Sequence, residues 1–260
     1  MALFTDCAVT SIEDLRGHDT QLLSVASIEG IDVTRKLGLA HEELAIELEG
    51  LLDQLRPAAG IYEVAAMLGG LNSPPAIRQV VATPPLKLWH IYRTLEMVYA
   101  DAYNSQLNDR YAGKRDEYHE MAGWAHDKAI QSGLGIAMDP VDRATMPSPQ
   151  ASAGALADGT YYVSVSWTNA KGEEGAVSIP AVIAISGSSF EVQTTAPANV
   201  KGWNVYSGTS QATMTRQNSA VLVPGQSWVQ PDTLATAGQR PGDGQKPTYR
   251  LPVPRTIQRG

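Results

Sequence analysis

Histidine and cysteine side chains are the first places to look for chemistry in this sequence. The five histidines are His18, His41, His90, His119 and His126. Only the last two lie near one another, and they are seven positions apart, whereas metal ligands on one helix need a spacing of three or four residues. His18 and Asp19 are adjacent, so on a helix they would face different directions. These spacings argue against a metal site and against an acid-base pair.

Other catalytic signatures are also missing from the sequence. Cys7 is the single cysteine, has no activating neighbour and can form no intramolecular disulfide. The chain has no phosphate-binding loop ending in Gly-Lys-Ser/Thr and no Gly-x-Ser-x-Gly elbow. We therefore expect no enzyme, no cofactor and no metal.

Composition restricts the class of protein further. The 260 residues carry a net charge of −7, which disfavours gripping a polyphosphate backbone. No apolar stretch approaches the roughly 18 residues of a membrane span, and no basic segment followed by an apolar one marks a secretory leader. The sequence predicts a protein made in the cytoplasm and without a membrane partner.

The first half of the chain has helical periodicity, which predicts a helical domain over residues 1–138. Two short helices fit residues 10–29, with Asp19 placed to cap the second. Amphipathic patterns predict further helices over 32–55, from Pro84 to Asp109, and over 114–132. Glutamates on the second face of the helix at 32–55 are interpreted as a solvated surface. They are Glu42, Glu43, Glu47 and Glu49.

The second half of the chain changes to the period of β-strands. Residues 139–157 are rich in proline and small residues and are interpreted as a linker. Short alternating runs over 158–237 predict a small antiparallel β-sandwich of immunoglobulin-like or fibronectin-like type. In "GWNVYSG", Trp203 and Val205 should face one side of the sheet, and Asn204 and Tyr206 the other. The predicted fold class is a helical bundle followed by a sandwich.

Residues 238–260 form a basic, proline-rich end. Their formal charge is +4, which leaves −11 on the rest of the chain. This composition predicts an extended arm that becomes ordered only on a partner surface. The candidate contact residues of the arm are Arg240, Lys246, Arg250, Leu251, Val253, Arg255, Ile257 and Arg259.

The order of these parts resembles a family of virus proteins. The runs "SIEDLRGHDTQLLSVASIEGIDVTRKLGLAHEELAIELEGLL" and "PLKLWHIYRTLEMVYADAYNSQLNDRYAGKRDEYHEMAGWAHDKAIQSGLGIAMDPV" resemble head-to-tail adaptor (connector) proteins of tailed bacteriophages. The runs "GTYYVSVSWTNAKGEEGAVS", "GWNVYSGTSQATMTRQNS" and "VPGQSWVQPD" resemble immunoglobulin-like modules appended to phage virion proteins.

This resemblance implies a structural role in the neck of the virion. It implies a ring, commonly of twelve copies, that docks beneath the portal protein, extends the DNA channel and offers a platform to tail proteins. Genomic DNA would pass through without specific binding. Aromatic residues are enriched at interfaces, so Tyr99, Tyr103 and Tyr111 become candidate subunit contacts, with burial in the core as the competing interpretation.

Two other functions stay open at this stage. The β-sandwich could be a carbohydrate-binding or host-binding module, with Tyr206 or Trp228 stacking on a sugar. An enzyme would need converging carboxylates or histidines, and the sequence shows no pair of these at a useful spacing.

Overall fold

The computed structural model describes residues 1–54, 75–106, 109–251 and 253. It contains helices and antiparallel sheets, and the chain divides into two compact units. We call residues 7–138 and 247–260 the helical unit, and residues 1–6 and 139–246 the β unit. The two units thus alternate along the sequence, and most of the β unit lies between the two parts of the helical unit.

Five helices build the described part of the helical unit, and their bounds are α1 (Ile12–His18), α2 (Leu22–Glu29), α3 (Val33–Gln54), α4 (Pro84–Gln106) and α5 (Ala112–Ser132). The predicted split of residues 10–29 into two helices is confirmed. Pro84 starts α4 because a proline in the first turn lacks only an amide that would have no helical partner. Leu37, Leu44 and Leu48 of α3 are buried at helical spacing, as the amphipathic pattern predicted.

A buried carboxylate joins three parts of the helical unit. Asp19 lies between α1 and α2, and its Oδ2 accepts hydrogen bonds from the hydroxyls of Tyr99 at 2.7 Å and Tyr118 at 2.8 Å. Its Oδ1 accepts the amide of Gln21 at 2.8 Å. Burial alone would raise the pKa of Asp19, but these donors hold it below its ordinary value. The N-cap of α2 is Gln21 and not the predicted Asp19, whose side chain instead fixes α4 and α5.

A buried histidine fastens α4 to α3. His90 is fully buried, its Nδ1 lies 2.6 Å from the hydroxyl of Thr10, and its Nε2 lies 3.2 Å from the carbonyl oxygen of Leu37. Burial lowers the pKa of His90 to about 4. The neutral ring therefore donates from Nε2 to Leu37 and accepts from Thr10.

The C-terminal part of the helical unit completes a small antiparallel pair. Strand β1 (Leu134–Ile136) pairs with β9 (Tyr249–Leu251), with Gly135 opposite Arg250. Gly135 suits this position because a Cβ there would lie 2.8 Å from the side chain of Thr83 and 3.0 Å from that of Pro247.

The β unit contains two antiparallel sheets that share one apolar core. One sheet has the order β2 (Gln150–Ser152), β5 (Ser189–Val192), β8 (Trp228–Val229). The other has the order β4 (Ala181–Ile185), β3 (Gly159–Thr168), β6 (Gly202–Gly208), β7 (Thr215–Arg216). Trp203 and Val205 lie in the core, as the alternation predicted.

The opposite face of the larger sheet is polar and is organised by one carboxylate. Glu174 Oε1 accepts hydrogen bonds from Tyr206 at 2.6 Å, from Asn204 at 3.2 Å and from the hydroxyl of Ser166. Burial, followed by the bond to Glu174, raises the pKa of Tyr206 well above its ordinary range. Asn204 and Tyr206 therefore share a face, as predicted, and that face is covered.

The structure differs from the predicted linker over 139–157. Val141, Ala144 and Leu156 are buried in the core of the β unit, and β2 lies within the same segment. Its few apolar residues are widely spaced, so they give no periodic signal, yet each fills a place in the core. This segment is part of the β unit and not a free tether.

We expect Asp19→Ala to destabilise the helical unit strongly. The substitution leaves two buried tyrosine hydroxyls without their acceptor, so the free energy of unfolding should fall by about 2–4 kcal/mol. Urea unfolding followed by helical circular dichroism measures this change. Asp116→Ala is the matched control, because Asp116 is exposed and pairs with its neighbour Arg115. Equal losses in the two variants would contradict the role of Asp19.

We also expect the stability of the protein to fall as the pH decreases from about 6.5 towards 4. In the unfolded chain His90 takes up a proton near its usual pKa of 6.5, whereas in the folded chain its pKa is about 4. The unfolded state therefore binds more protons in this window, which costs the folded state about 3 kcal/mol by pH 4. In His90→Gln, the free energy of unfolding measured with urea should depend less steeply on pH across this range. An unchanged pH dependence would contradict the assignment.

Candidate functional site

A groove of about 350 Å³ lies on the helical unit between α3, α4 and α5. Each helix contributes residues three, four or seven positions apart, which is the spacing that places side chains on one face. The polar and aromatic residues that line it are Glu43, Glu47, Trp89, Arg93, Glu96, His119 and His126. This groove brings together six ionisable side chains.

A chain of ion pairs crosses one end of the groove. Arg93 Nε lies 2.7 Å from Glu43 Oε2, and Arg93 Nη1 lies 2.7 Å from Glu96 Oε2. Glu96 Oε1 lies 2.7 Å from His119 Nδ1. Burial alone would lower the pKa of Arg93, but the two carboxylates raise it above its ordinary value. Because these side chains are partly exposed, each pair stabilises the fold by no more than about 1 kcal/mol.

An aromatic contact forms the other end of the groove. The rings of Trp89 and His126 meet edge to face with centroids 4.9 Å apart. His126 Nε2 lies 3.8 Å from Glu47 Oε2, and its Nδ1 lies 3.3 Å from Asp127 Oδ1. Trp89 is buried, so it forms the floor of this end.

The groove is acidic. With neutral imidazoles, its three glutamates outweigh Arg93 and leave a formal charge of −2. The helices that form it also expose apolar side chains, since Ile46 on α3 is 71% exposed and Trp124 on α5 is 51% exposed. An acidic groove suits a partner with basic residues.

The structure does not support two of the three tyrosines predicted as subunit contacts. Tyr99 is 2% exposed and donates its hydroxyl to Asp19, and Tyr111 is 4% exposed. Both belong to the core of the helical unit, where Tyr99 lies on α4, Tyr111 directly precedes α5, and the two ring centroids lie 6.2 Å apart. Tyr103 is half-buried beneath Arg115, whose guanidinium carbon lies 4.1 Å from the ring centroid.

The predicted arm is also different in the structure, because its described part is held by its own chain. Gln239 accepts the amide of Arg216 at 2.7 Å, and the Gln245 side chain accepts the amide of Val141 at 2.6 Å. Leu251 pairs with β1 as part of β9, and Val253 is buried. The unpaired edges of β7 and β1 offer backbone partners that composition alone does not reveal.

The charged residues of the predicted arm remain at the surface where they are described. Arg240, Lys246 and Arg250 are exposed, so they stay available to a partner. Arg255, Ile257 and Arg259 lie outside the described residues.

Sequence reasoning did not identify the groove. Glu43 and Glu47 were interpreted as a solvated face, and His119 and His126 were set aside because of their spacing. Seven residues are two helical turns, so these histidines share a face of α5 and meet the carboxylates of other helices. Ionisable residues that repeat on one face of each of several helices are the sequence signal that could have predicted the groove.

The aromatic residues predicted to stack on a sugar are also unsuitable. Tyr206 is fully buried and bonded to Glu174, so it cannot offer a free ring face. Trp228 is half-buried and packs edge to face against Phe190, with ring centroids 6.4 Å apart.

The described residues contain neither a candidate metal cluster nor a candidate membrane-spanning helix. No group of three or more His, Cys, Asp or Glu side chains in this part of the chain could hold a metal ion. Within the same residues, no helix combines the length and the apolar character needed to cross a membrane. Comparisons with models of protein families, with curated proteins and with solved structures find no match for this chain.

Proposed function

We propose that this chain is a structural virion protein, a head-to-tail adaptor of a tailed bacteriophage. In this proposal, about twelve copies form a ring that docks beneath the portal, extends the DNA channel and carries the tail proteins. The observation that carries it is the acidic groove of the helical unit, on helices that also expose Ile46 and Trp124. The sequence resemblance supplies the assignment to the neck of the virion.

The groove supports this role because a ring needs a surface that recognises a neighbouring subunit or the portal. Ile46 and Trp124 on the same helices supply exposed apolar area, while Glu43 and Glu47 supply charge that selects a basic partner. The exposed cations Lys246 and Arg250 provide complementary charge on other copies of the chain. A protomer with both signs of charge in separate places can associate head to tail.

The charge of the chain also suits a channel for DNA. A net charge of −7 repels phosphates, so a ring built from this chain would let duplex DNA move without binding it. Basic residues that face a neighbouring protein are neutralised there and do not hold the DNA.

Imaging of virions tests the location directly. An antibody raised against residues 158–237, visualised on the phage that carries this chain, should label the neck between head and tail. The label should follow the symmetry of the ring, with about twelve copies, because a closed ring repeats one interface. Label on tail fibres or on the capsid surface, with none at the neck, would contradict the proposal.

We expect Glu47→Lys to impair assembly of the neck. The reversal changes the formal charge of the groove by two units, so a basic partner should bind at least about tenfold more weakly. Complementation with the variant, followed by counting virions with joined heads and tails, measures the effect.

Glu49→Lys is the matched control for that experiment. Glu49 is exposed on the same helix but does not line the groove. Both variants change the net charge of the chain equally, so a difference between them reports the groove alone. Normal assembly with Glu47→Lys, or equal defects in the two variants, would remove the groove from the proposal.

A further inference from the structure

The β unit carries a separate cleft of about 550 Å³ beside the ends of β6 and β7. This volume falls within the range of about 300–1,000 Å³ that is usual for small-molecule sites. Five hydroxyl side chains and one guanidinium line the cleft, and they belong to Ser207, Thr209, Thr213, Thr215, Thr236 and Arg240. Neither the acidic groove nor the predicted aromatic residues are part of it.

One wall of the cleft, the segment 234–240, is fixed in place by hydrogen bonds to β7 and the residue that follows. Arg216 donates its amide to Gln239 at 2.7 Å, and Ala235 donates its amide to the Gln217 side chain at 2.9 Å. Gly238 permits the close approach, because a Cβ there would lie 2.5 Å from the carbonyl oxygen of Arg216. The cleft is therefore formed before any ligand binds, which lowers the entropic cost of binding.

Exposed hydroxyls of the cleft are open to a ligand. Thr209 and Thr236 line the cleft and are exposed, and a hydroxyl can both donate and accept a hydrogen bond. Ser207 and Thr215 line the cleft but are buried, and Thr215 donates its hydroxyl to the carbonyl oxygen of Ala235. A ligand hydroxyl entering the cleft can therefore pair with Thr209 and Thr236.

The single charged side chain in the lining defines the second part of the ligand. Arg240 is exposed at the cleft, and it is the only charged residue among those that line it. A guanidinium binds a carboxylate or a phosphate through two parallel hydrogen bonds. The lining thus suits one anionic group next to several hydroxyl groups.

The same lining argues against nucleic acids and apolar ligands, and it predicts that a sugar binds weakly. A nucleic acid strand needs several cations along its backbone, and one arginine does not provide them. An apolar ligand needs mainly apolar walls, whereas the apolar side chains in this lining are those of Leu234 and Ala237. No aromatic residue is among the lining residues, so a sugar would bind without stacking and therefore weakly.

We propose that this cleft binds an anionic saccharide, meaning a sugar unit that carries a carboxylate or a phosphate. The hydroxyls of Thr209 and Thr236 pair with sugar hydroxyls, and Arg240 binds the anionic group. This binding function goes beyond the adaptor role and does not depend on it.

Titration of the full chain followed by NMR chemical shifts tests this site. The probes are glucuronic acid, glucose 6-phosphate, neutral glucose and inorganic phosphate. The acidic sugars should bind with a Kd of about 1 mM and shift the amides of β6, β7 and residues 234–240. Glucose and inorganic phosphate should each bind at least about tenfold more weakly, because each makes only part of the contacts.

Three variants sharpen the result. Arg240→Gln should weaken binding of both acidic sugars at least about tenfold, because the charged pair is lost. Lys171→Gln removes an exposed cation of the β unit outside the lining and should leave the affinity unchanged. Thr236→Ala should weaken sugar binding without lowering stability, because Thr236 is exposed and lines the cleft.

Three outcomes would overturn the proposal. The first is the absence of shifts in these segments with any sugar at about 20 mM, far above the expected Kd. The second is an equal loss of affinity in Arg240→Gln and Lys171→Gln. The third is inorganic phosphate binding as tightly as glucose 6-phosphate, which would leave an anion site without recognition of sugar.

Discussion

The carboxylate of Asp19 is the interaction on which the packing of the helical unit depends. A buried carboxylate requires hydrogen-bond donors, and this one receives them from Tyr99 on α4 and Tyr118 on α5. The three groups meet at one oxygen, so sliding either helix along its axis would leave a buried polar group without a partner. His119 adjoins Tyr118, and Glu96 precedes Tyr99 by one turn, so the same contact holds the groove residues in register. The acidic surface proposed to bind a partner is therefore placed by a polar contact inside the core.

The β unit uses the same physical principle on the outer face of its larger sheet. Glu174, which follows the turn after β3, accepts from Ser166, Asn204 and Tyr206 through one oxygen. Asn204 in turn accepts from Asn218 at 2.9 Å, so the network continues to the segment after β7. Alternating polar residues normally indicate a sheet face open to water. Here they are buried, and the network satisfies groups that would otherwise destabilise the fold.

Local sequence signals predicted the helices and strands well, but they could not predict contacts between distant segments. The helix at 84–109 was found because its apolar residues repeat every three or four positions, and "GWNVYSG" because it alternates. Tyr99 was misjudged because a tyrosine is equally suited to an interface and to a core that offers an acceptor. That acceptor, Asp19, lies 80 residues away and was predicted only as a local cap. The groove was not predicted for a related reason. It forms only where three helices bring together residues that look solvent-exposed when each helix is considered alone.

The C-terminal segment shows how the chain can pass from one unit to the other and back. Within the helical unit, Thr248 donates its amide to Ile136 at 2.8 Å, so the chain returns beside the strand it left. Within the β unit, Gln245 donates its side-chain amide to the carbonyl oxygen of Asp139 at 2.9 Å, which brings the two ends of the stretch 139–246 together. Each unit thus closes its own ends with local hydrogen bonds, and neither needs a long connection across its surface. A segment rich in proline and glycine can serve this purpose, because an extended backbone needs only a free strand edge to become ordered. The composition that suggested a partner-dependent arm therefore also suits a segment that folds back on its own chain.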